Sequence, residues 1–335
     1  MKDLTLNEIL ESLPKISENR NYWFFRTNSG EYFEEFRDGN FIAIGYNEIS
    51  LEDIKAGNTG NDVGIEILGN RIQTKYKEKE NRPNYVASQL LKFAYKIKKG
   101  DIVLIPSASS YNICFGQIIE TPAYIAKATG ELNCPYSKRK KVRWLKTIPR
   151  DALDPNLYKL MFSHHTITEA DLYAEYIDKV TNSFFIKNNS AHLVLKVQTT
   201  QDIKAKDLFE MGGIALDLLD EFSKEENLPY KSDDFNVKLN LQSPGLIVLS
   251  GVSMGGIVIV GIILVAIAGG GFSLKYGKEF TTGIKTDGII EKIKSFLTAN
   301  SNIRMKKELL EKHMKDLNIQ DPDDLVKILK ELNKK

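Results

Sequence analysis

No charged residue lies between Lys238 and Lys275, and the centre of this gap, residues 246–268, is almost entirely apolar. About 18 or more apolar residues in a row are enough to cross a bilayer as one helix. The two hundred residues before the gap have the mixed charge of an ordinary globular protein. The apolar segment must therefore be covered, either by lipid or by protein.

We expect the hydrophobic, Gly-rich segment, residues 245–272, to be a transmembrane helix. Small residues at helical spacing, here Gly251, Gly255, Gly256 and Gly261, let helix backbones approach closely in lipid. The same glycines predict a surface for homo-oligomerisation. Two alternatives stay open. The β-branched residues between glycine clusters also suit buried strands or a core helix, and a break at Gly255 and Gly256 would give a re-entrant hairpin.

The N-terminus, residues 1–20, is polar and charged and does not have the apolar core of a secretory signal. We therefore expect a cytoplasmic domain attached to the bacterial inner membrane. The chain has 46 basic and 44 acidic residues, so binding to nucleic acid would need a local basic patch. Two cysteines, Cys114 and Cys134, exclude a disulfide scaffold and a Cys-rich zinc site.

Short apolar runs alternate with amphipathic stretches in the first 150 residues, which predicts an α+β fold. Strands are expected at 41–46, 102–106, 111–120 and 142–148, and helices at 4–13, 82–98 and 166–180, the last opened by a capping box at Thr166–Glu169. A further strand at 192–197, a helix at 205–223 and three helices after Gly288 follow. The glycine motifs of doubly wound nucleotide-binding folds are missing.

The order of motifs after Tyr22 is more specific. Arg26 and Gly30 precede Ile42-Ala43-Ile44-Gly45-Tyr46, a helix then leads into Gly100-Asp101-Ile102-Val103-Leu104-Ile105-Pro106, and Val142-Arg143-Trp144-Leu145-Lys146 comes after the next strand. In this order the sequence resembles the EVE/PUA-like group of small β-barrels, found in modified-base readers and in bacterial restriction and defence proteins. The sequence departs from the group at Tyr46, where the group often has Trp.

The resemblance implies a small β-barrel with helices on its rim, followed by a second α+β or helical region that contains the apolar segment. We expect five regions along the chain. They are an N-terminal helix (1–20), an EVE/PUA-like sensor domain (21–197), an α/β connector (198–244), the apolar segment (245–272) and a helical region (273–335).

Such a domain needs aromatic walls for a planar ligand and hydrogen-bonding groups for its edge; stacking a base on an aromatic ring contributes roughly 1–3 kcal/mol. The candidate walls are Trp23, Phe25, Tyr46 and Trp144. The candidate edge-binding residues are Arg26, Ser107, Ser109, Ser110 and Asn112. The alternative is that the aromatic residues fill the interior of the barrel.

The basic residues Lys138, Arg139, Lys140, Lys141 and Arg143 form the one patch that could hold a nucleic-acid backbone, with a solvated loop as the alternative. Together the features predict a sensor of a nucleotide, a modified base or nucleic acid, coupled to a membrane-inserting or self-associating segment, as in an antiviral defence effector. The alternative is a soluble DNA-binding specificity subunit of a restriction-like system. No catalytic set, metal site or cofactor is predicted, and an enzyme is the least favoured class.

Overall fold

The computed structural model describes residues 4–77, 80–126, 134–199, 202–240, 245–268, 288–320 and 322–332. The chain forms two compact units, one of residues 19–181 and one that combines residues 1–18 with residues 182–335. We call the first the half-barrel unit and the second the core-helix unit. The expected N-terminal helix, α1 (Leu6–Ser12), belongs to the core-helix unit, because its Ile9 lies in the apolar core of that unit. The boundary near residue 181 falls earlier than the expected end of the sensor domain at 197.

The half-barrel unit contains seven strands and six α-helices among its described residues. The strands are β1 (Tyr22–Phe25), β2 (Phe41–Ile44), β3 (Ile102–Pro106), β4 (Asn112–Ile118), β5 (Tyr124–Ile125), β6 (Lys138–Pro149) and β7 (Ile167–Glu169). The helices are α2 (Phe33–Asp38), α3 (Leu51–Ala56), α4 (Asp62–Tyr76), α5 (Pro83–Leu91), α6 (Tyr158–Met161) and α7 (Ala174–Thr181), and a π-helix, Lys92–Lys96, follows α5.

The sheet of this unit is a half-barrel of mixed strand direction. Its order is β2-β6-β4-β3-β1-β7, with β5 also paired to β6. Strands β1 and β3 are parallel and the other neighbours are antiparallel. The long strand β6 joins β2 to β4, because its residues 138–141 pair with β2 and its residues 142–149 pair with β4. Within the described residues β2 and β7 do not pair with each other, so the closed barrel that the resemblance implies is wrong.

Strand β1 separates two apolar cores because successive side chains of a strand point to opposite faces. Trp23 and Phe25 belong to the core under α2–α5, whereas Tyr22 and Phe24 belong to the core under α6 and α7. The expected start of the next helix at Thr166 is also wrong, although a helix does occupy the second half of the expected range. Residues 167–169 form β7 and pair with β1, and the helix α7 begins only at Ala174. Backbone N–H and C=O groups of this segment form hydrogen bonds with β1 and are therefore not available for a helix.

The core-helix unit combines a five-stranded sheet with six helices, counting α1 and the described residues only. The strands are β8 (Phe184–Lys187), β9 (Ser190–Val197), β10 (Asn236–Asn240), β11 (Gly245–Gly251) and β12 (Ile319–Gln320). The helices are α8 (Ala205–Glu225), α9 (Met254–Ala268), α10 (Ile289–Phe296), α11 (Ser301–Asp316) and α12 (Asp323–Leu332). The sheet order is β10-β11-β9-β12, and β8 also pairs with β9.

The charge-free segment is divided between β11 and α9. Strand β11 pairs with β10 on one side and β9 on the other. Helix α9 has 15 residues, which gives a length of ~22 Å against about 30 Å of membrane hydrocarbon. It is the central element of its core and contacts α1, α8, α10, α11 and α12.

No helix among the described residues combines the length and apolar character that crossing a membrane requires. The prediction of a transmembrane helix is therefore wrong, and protein rather than lipid covers this part of the segment. The expected end of the segment, residues 269–272, lies outside the described residues.

The four glycines expected to drive oligomerisation are buried within the core-helix unit. A Cβ atom at Gly256 would lie 2.6 Å from Cζ of Phe235, and one at Gly261 would lie 2.8 Å from Cδ2 of Leu325. Gly255 faces Tyr230, and a Cβ at Gly251 would lie 2.7 Å from the carbonyl oxygen of Asp234. Because side chains of the same unit already occupy this helix face, the glycines do not form a surface that a second copy could reach.

Candidate ligand-binding cavity

A cavity of about 240 Å³ lies in the half-barrel unit. Its walls come from the ends of β1 and β2, from α5, and from the residues that precede β6 and β7. Three of the lining residues are tyrosines, five carry other polar side chains, and the rest are small or aliphatic. They are Tyr46, Tyr85 and Tyr136; Arg26, Asn28, Ser29, Gln89 and Thr166; and Ala43, Ile44, Gly45 and Val86. Aromatic walls with a few polar groups are typical of small-ligand sites.

Tyr46 holds a strained backbone conformation at the rim of the cavity. Its φ is +58°, in the left-handed region that bulky residues rarely adopt. The Nζ of Lys138 donates a hydrogen bond to the Tyr46 carbonyl oxygen at 2.8 Å, and the Tyr46 hydroxyl donates to Oε2 of Glu80 at 2.5 Å. The Tyr46 ring also packs edge-on against Tyr76, with centroids 5.2 Å apart. Strain of this kind persists where the surroundings fix it, and it concentrates at ligand sites.

The turn after β1 forms a second part of the rim. Asn28 and Ser29 have φ values of +54° and +58°, and Gly30 has a φ of +96°. Glycine is required at position 30 because a Cβ there would lie 2.7 Å from the carbonyl carbon of Ser107. The β3–β4 turn therefore packs against the backbone of this rim.

Arg26 and Gln89 are two of the lining residues that carry hydrogen-bond donors. The Arg26 backbone N–H donates to the Thr166 carbonyl at 2.9 Å, and its Nη1 donates to the Ser163 carbonyl. In the described part of the chain no carboxylate lies within ion-pair distance of Arg26. Buried Gln89 accepts the Ile167 N–H at 2.8 Å through Oε1, which fixes the amide, while its Nε2 has no hydrogen-bond partner among the described residues. Both side chains therefore keep donors for a ligand.

Tyr46 and Tyr136 are neutral at physiological pH. Burial raises the pKa of Tyr136 to about 12. Burial and the neighbouring Glu80 also raise the pKa of Tyr46 above its ordinary value. Arg26 is thus the one charged residue in the lining, and the cavity favours a ligand that is anionic or rich in hydrogen-bond acceptors.

Among the aromatic residues expected as walls, only Tyr46 lines the cavity. Trp23 is buried and donates from Nε1 to Oδ2 of Asp101 at 2.9 Å. Phe25 is buried between Phe36 and Phe93. Trp144 donates from Nε1 to the Phe36 carbonyl at 2.9 Å. These three side chains correspond to the alternative in which aromatic residues fill the interior.

Among the residues expected to bind the ligand edge, only Arg26 lines the cavity. Ser107 and Asn112 are hydrogen-bonded to each other across the β3–β4 turn, since the Asn112 N–H donates to the Ser107 Oγ at 2.9 Å. Ser109 and Ser110 adopt φ values of +52° and +54° in this turn. None of the four is part of the lining, and ligand binding by them stays a prediction.

The basic run is mostly interior. Lys138 and Lys140 are fully buried and Arg139 nearly so. Nζ of Lys138 also donates to the Ile49 carbonyl at 3.1 Å, and Nζ of Lys140 donates to the carbonyls of Ala94, Ile97 and Thr121. Because they are buried and hydrogen-bonded to carbonyls, these lysines do not form a phosphate-binding surface. The expected patch assumed that every basic side chain of β6 faces water.

The other three basic residues are also engaged. The Arg139 guanidinium lies 4.0 Å from the centroid of the Phe41 ring. Exposed Lys141 pairs with Glu120 at 3.0 Å, and Arg143 donates to Oε1 of Gln117 at 2.7 Å. Only Lys141 and Arg143 remain at the surface that was expected to contact nucleic acid.

Burial of the two lysines predicts an unusual dependence of stability on pH. Desolvation lowers the pKa of Lys138 and of Lys140 from 10.5 to about 8. Between pH 8 and pH 10 the unfolded state thus binds more protons than the folded state, so the free energy of unfolding should rise, by about 2 kcal/mol or more. Above pH 10 it should fall, because Tyr136 ionises more readily when unfolded.

Urea unfolding followed by tryptophan fluorescence measures this dependence, since Trp23 and Trp144 are the only two tryptophans of the chain and both lie in the half-barrel unit. A double variant with Lys138→Met and Lys140→Met should lose the rise, and Lys141→Met should keep it. A stability that is constant or falling from pH 8 to pH 10 would contradict the prediction.

Several lining residues were not expected from the sequence. Tyr85 and Gln89 are four residues apart on one face of α5, a spacing that could have revealed them. Asn28 and Ser29 precede Gly30 in a recognisable turn sequence. Tyr136 and Thr166 carry no local signal, because only the pairing of distant strands brings them to the cavity.

The comparison with protein families gives one match. A family described as a domain of unknown function, DUF8426, matches residues 23–171. This range runs from β1 to beyond β7 and includes every described residue that lines the cavity. No curated protein matches the chain. The half-barrel unit is therefore the part of the chain that is similar to a recognised domain family.

Proposed function

We propose that the half-barrel unit binds a small planar ligand of the nucleobase class, free or as part of a nucleotide or nucleic acid. The observation that supports this most directly is the cavity in which three tyrosines surround the free donors of Arg26 and Gln89. The strained conformation of Tyr46 at its rim supports it as well.

The size and chemistry of the cavity favour a single ring system. Sites for drug-sized ligands usually measure about 300–1,000 Å³, and this cavity is smaller, at about 240 Å³. A tyrosine face can stack on a base, and an arginine can donate two hydrogen bonds to a pair of acceptors such as the O6 and N7 atoms of guanine. A second donor from Gln89 would favour a base edge that presents several acceptors.

The resemblance to EVE/PUA-like proteins is consistent with this class of ligand, and a base-reading sensor in bacterial defence is our proposal for its biological role. Binding is favoured over acid–base catalysis because the lining, as far as the chain is described, contains no carboxylate, imidazole, thiol or amine. The alternative of a DNA-binding specificity subunit receives less support, since three of the five expected backbone-binding residues are buried.

Isothermal titration calorimetry of the full chain tests the proposal. The probes are the common deoxynucleosides, their 5-methyl and 5-hydroxymethyl cytosine forms, and single-stranded oligonucleotides that contain these bases. We expect at least one probe to bind. Arg26→Gln should weaken it by roughly tenfold or more, because an arginine–base pair contributes about 1–3 kcal/mol of discrimination. Gln89→Leu should weaken it as well.

Arg71→Gln is the matched control, because it removes the same charge from an exposed position of the same unit that lies outside the cavity lining. Its affinity should equal that of the wild type, and the tryptophan fluorescence of each variant should show an intact fold. The absence of binding to every probe, or equal losses in Arg26→Gln and Arg71→Gln, would refute the proposal.

A further inference from the structure

Helices α8 and α11 of the core-helix unit bring three potential metal ligands together. His313 lies in the last turn of α11 and is 2% exposed. Its Nδ1 is 3.0 Å from Oδ1 of Asp207, in the first turn of α8. One ligand atom each from Asp207, His313 and Asp316 lie within 4.8 Å of one another. Two helices of the same unit thus present one imidazole and two carboxylates to a common point.

The second nitrogen of His313, Nε2, faces a carboxylate but makes no hydrogen bond with it. Nε2 lies 3.0 Å from Oε2 of Glu210, but the two atoms are not aligned for a hydrogen bond, and Nε2 is buried without a partner. A buried polar atom in this state is uncommon. In metal sites the ring nitrogen that does not bind the ion usually faces a carboxylate, which is the position that Glu210 occupies relative to His313.

Asp316 provides an independent indication. It is the last residue of α11, where the negative end of the helix dipole disfavours a carboxylate. It has neither an ion pair nor a side-chain hydrogen bond among the described residues, and the neighbouring Lys315 pairs with Glu311 instead. Two carboxylates this close repel each other unless a cation lies between them.

We propose that Asp207, His313 and Asp316 bind a divalent transition-metal ion of the Zn²⁺ type. Imidazole and carboxylate ligands suit Zn²⁺, which takes nitrogen and oxygen ligands at about 2.0–2.2 Å. Two such ligands of a tetrahedral ion lie roughly 3.4 Å apart, so the Nδ1–Oδ1 separation of 3.0 Å needs only a small adjustment. Three protein ligands leave one position for water or an external ligand.

A simple ion pair between His313 and the carboxylates of α8 is the competing explanation. It involves Asp207 and Glu210, and it gives Asp316 no role. Replacement of Asp316 therefore separates the two explanations. Because Asp316 is exposed, Asp316→Asn should retain the fold, which circular dichroism checks.

The experiment titrates the untagged, EDTA-treated full chain with Co²⁺ as a spectroscopic probe, followed by displacement with Zn²⁺. We expect one Co²⁺ per chain with visible absorption bands of a low-coordinate site, and a rise in the thermal midpoint with Zn²⁺. Asp316→Asn and Asp207→Asn should each lower the Co²⁺ affinity at least about tenfold. Glu308→Gln, which removes an exposed carboxylate from the same helix, should leave the affinity unchanged.

Two results would overturn the proposal. One is a wild-type chain that shows no saturable binding of one Co²⁺. The other is an Asp316→Asn variant that binds Co²⁺ as tightly as the wild type, which would leave only the ion pair.

Discussion

Asp101→Asn should lower the free energy of unfolding of the half-barrel unit by about 2–3 kcal/mol, although it changes almost no volume. Asp101 is 3% exposed and precedes β3. Its Oδ2 accepts hydrogen bonds from Trp23 Nε1 and the Lys98 N–H, both at 2.9 Å. Its Oδ1 accepts from the Asn21 N–H at 3.2 Å and from the Asn21 Nδ2 at 3.4 Å.

The expected loss follows from the direction of these bonds. Both carboxylate oxygens act as acceptors, so the NH₂ group of an asparagine would face donors whichever way the amide turned. At least one buried N–H would lose its acceptor, and the bonds that remained would lose the strengthening that a charged acceptor gives. Asp101 also follows the Gly100 turn within the Gly100–Pro106 motif, and its four contacts are a structural reason for an aspartate at this position.

Urea unfolding with tryptophan fluorescence measures the loss, and Trp23 reports directly because its indole N–H is one of the donors. Asp151→Asn, at an exposed position of the same unit, should leave the unfolding free energy nearly unchanged. A loss for Asp101→Asn no larger than that of Asp151→Asn would show that the four contacts contribute little.

Local patterns predicted the elements that depend on local chemistry. The apolar runs at 41–46 and 102–106 are the buried strands β2 and β3, whose every residue is buried. The amphipathic stretch at 82–98 is α5 with its π-helical extension. These runs fold as their composition indicates, because their length and burial pattern leave few alternatives.

The errors arise where distant residues decide the outcome. Thr168 pairs with Phe24, and this contact replaces the helix that the capping sequence predicts. Lys140 lies inside because carbonyls of Ala94, Ile97 and Thr121 accept its donors, and no pattern within residues 138–143 shows this. The cavity likewise joins residues from 26 to 166, of which Arg26 and Tyr46 alone were expected.

The apolar segment shows the same limit. Its length and lack of charge are those of a membrane span. Hydropathy does not distinguish a segment covered by lipid from one covered by a protein interior. The described part is covered by helices that come before and after it along the chain, from α1 to α12. The glycines that suggested helix association in lipid accommodate Tyr230 and Phe235 of the same chain.

Gly256→Val should lower the free energy of unfolding of the core-helix unit by about 2–3 kcal/mol. Its Cβ would lie 2.6 Å from Cζ of Phe235 and 3.2 Å from Cβ of Tyr230, and its methyl groups would need further space. Overpacking of a well-filled core costs typically 1–3 kcal/mol, and here the obstacles are the partly buried ring of Phe235 and the Cβ atom of Tyr230, which cannot rotate away.

Gly212→Ala in α8 is the matched control, because a Cβ there meets nothing within 4 Å. A helix-interior glycine disfavours the helix by about 1 kcal/mol relative to alanine, so this variant should be stabilised. Since both tryptophans lie in the other unit, amide hydrogen exchange of α9 and far-ultraviolet circular dichroism follow the core-helix unit. If Gly256 faced lipid or a second copy, Gly256→Val would leave the isolated chain as stable as the wild type, and that result would contradict the packing described for α9.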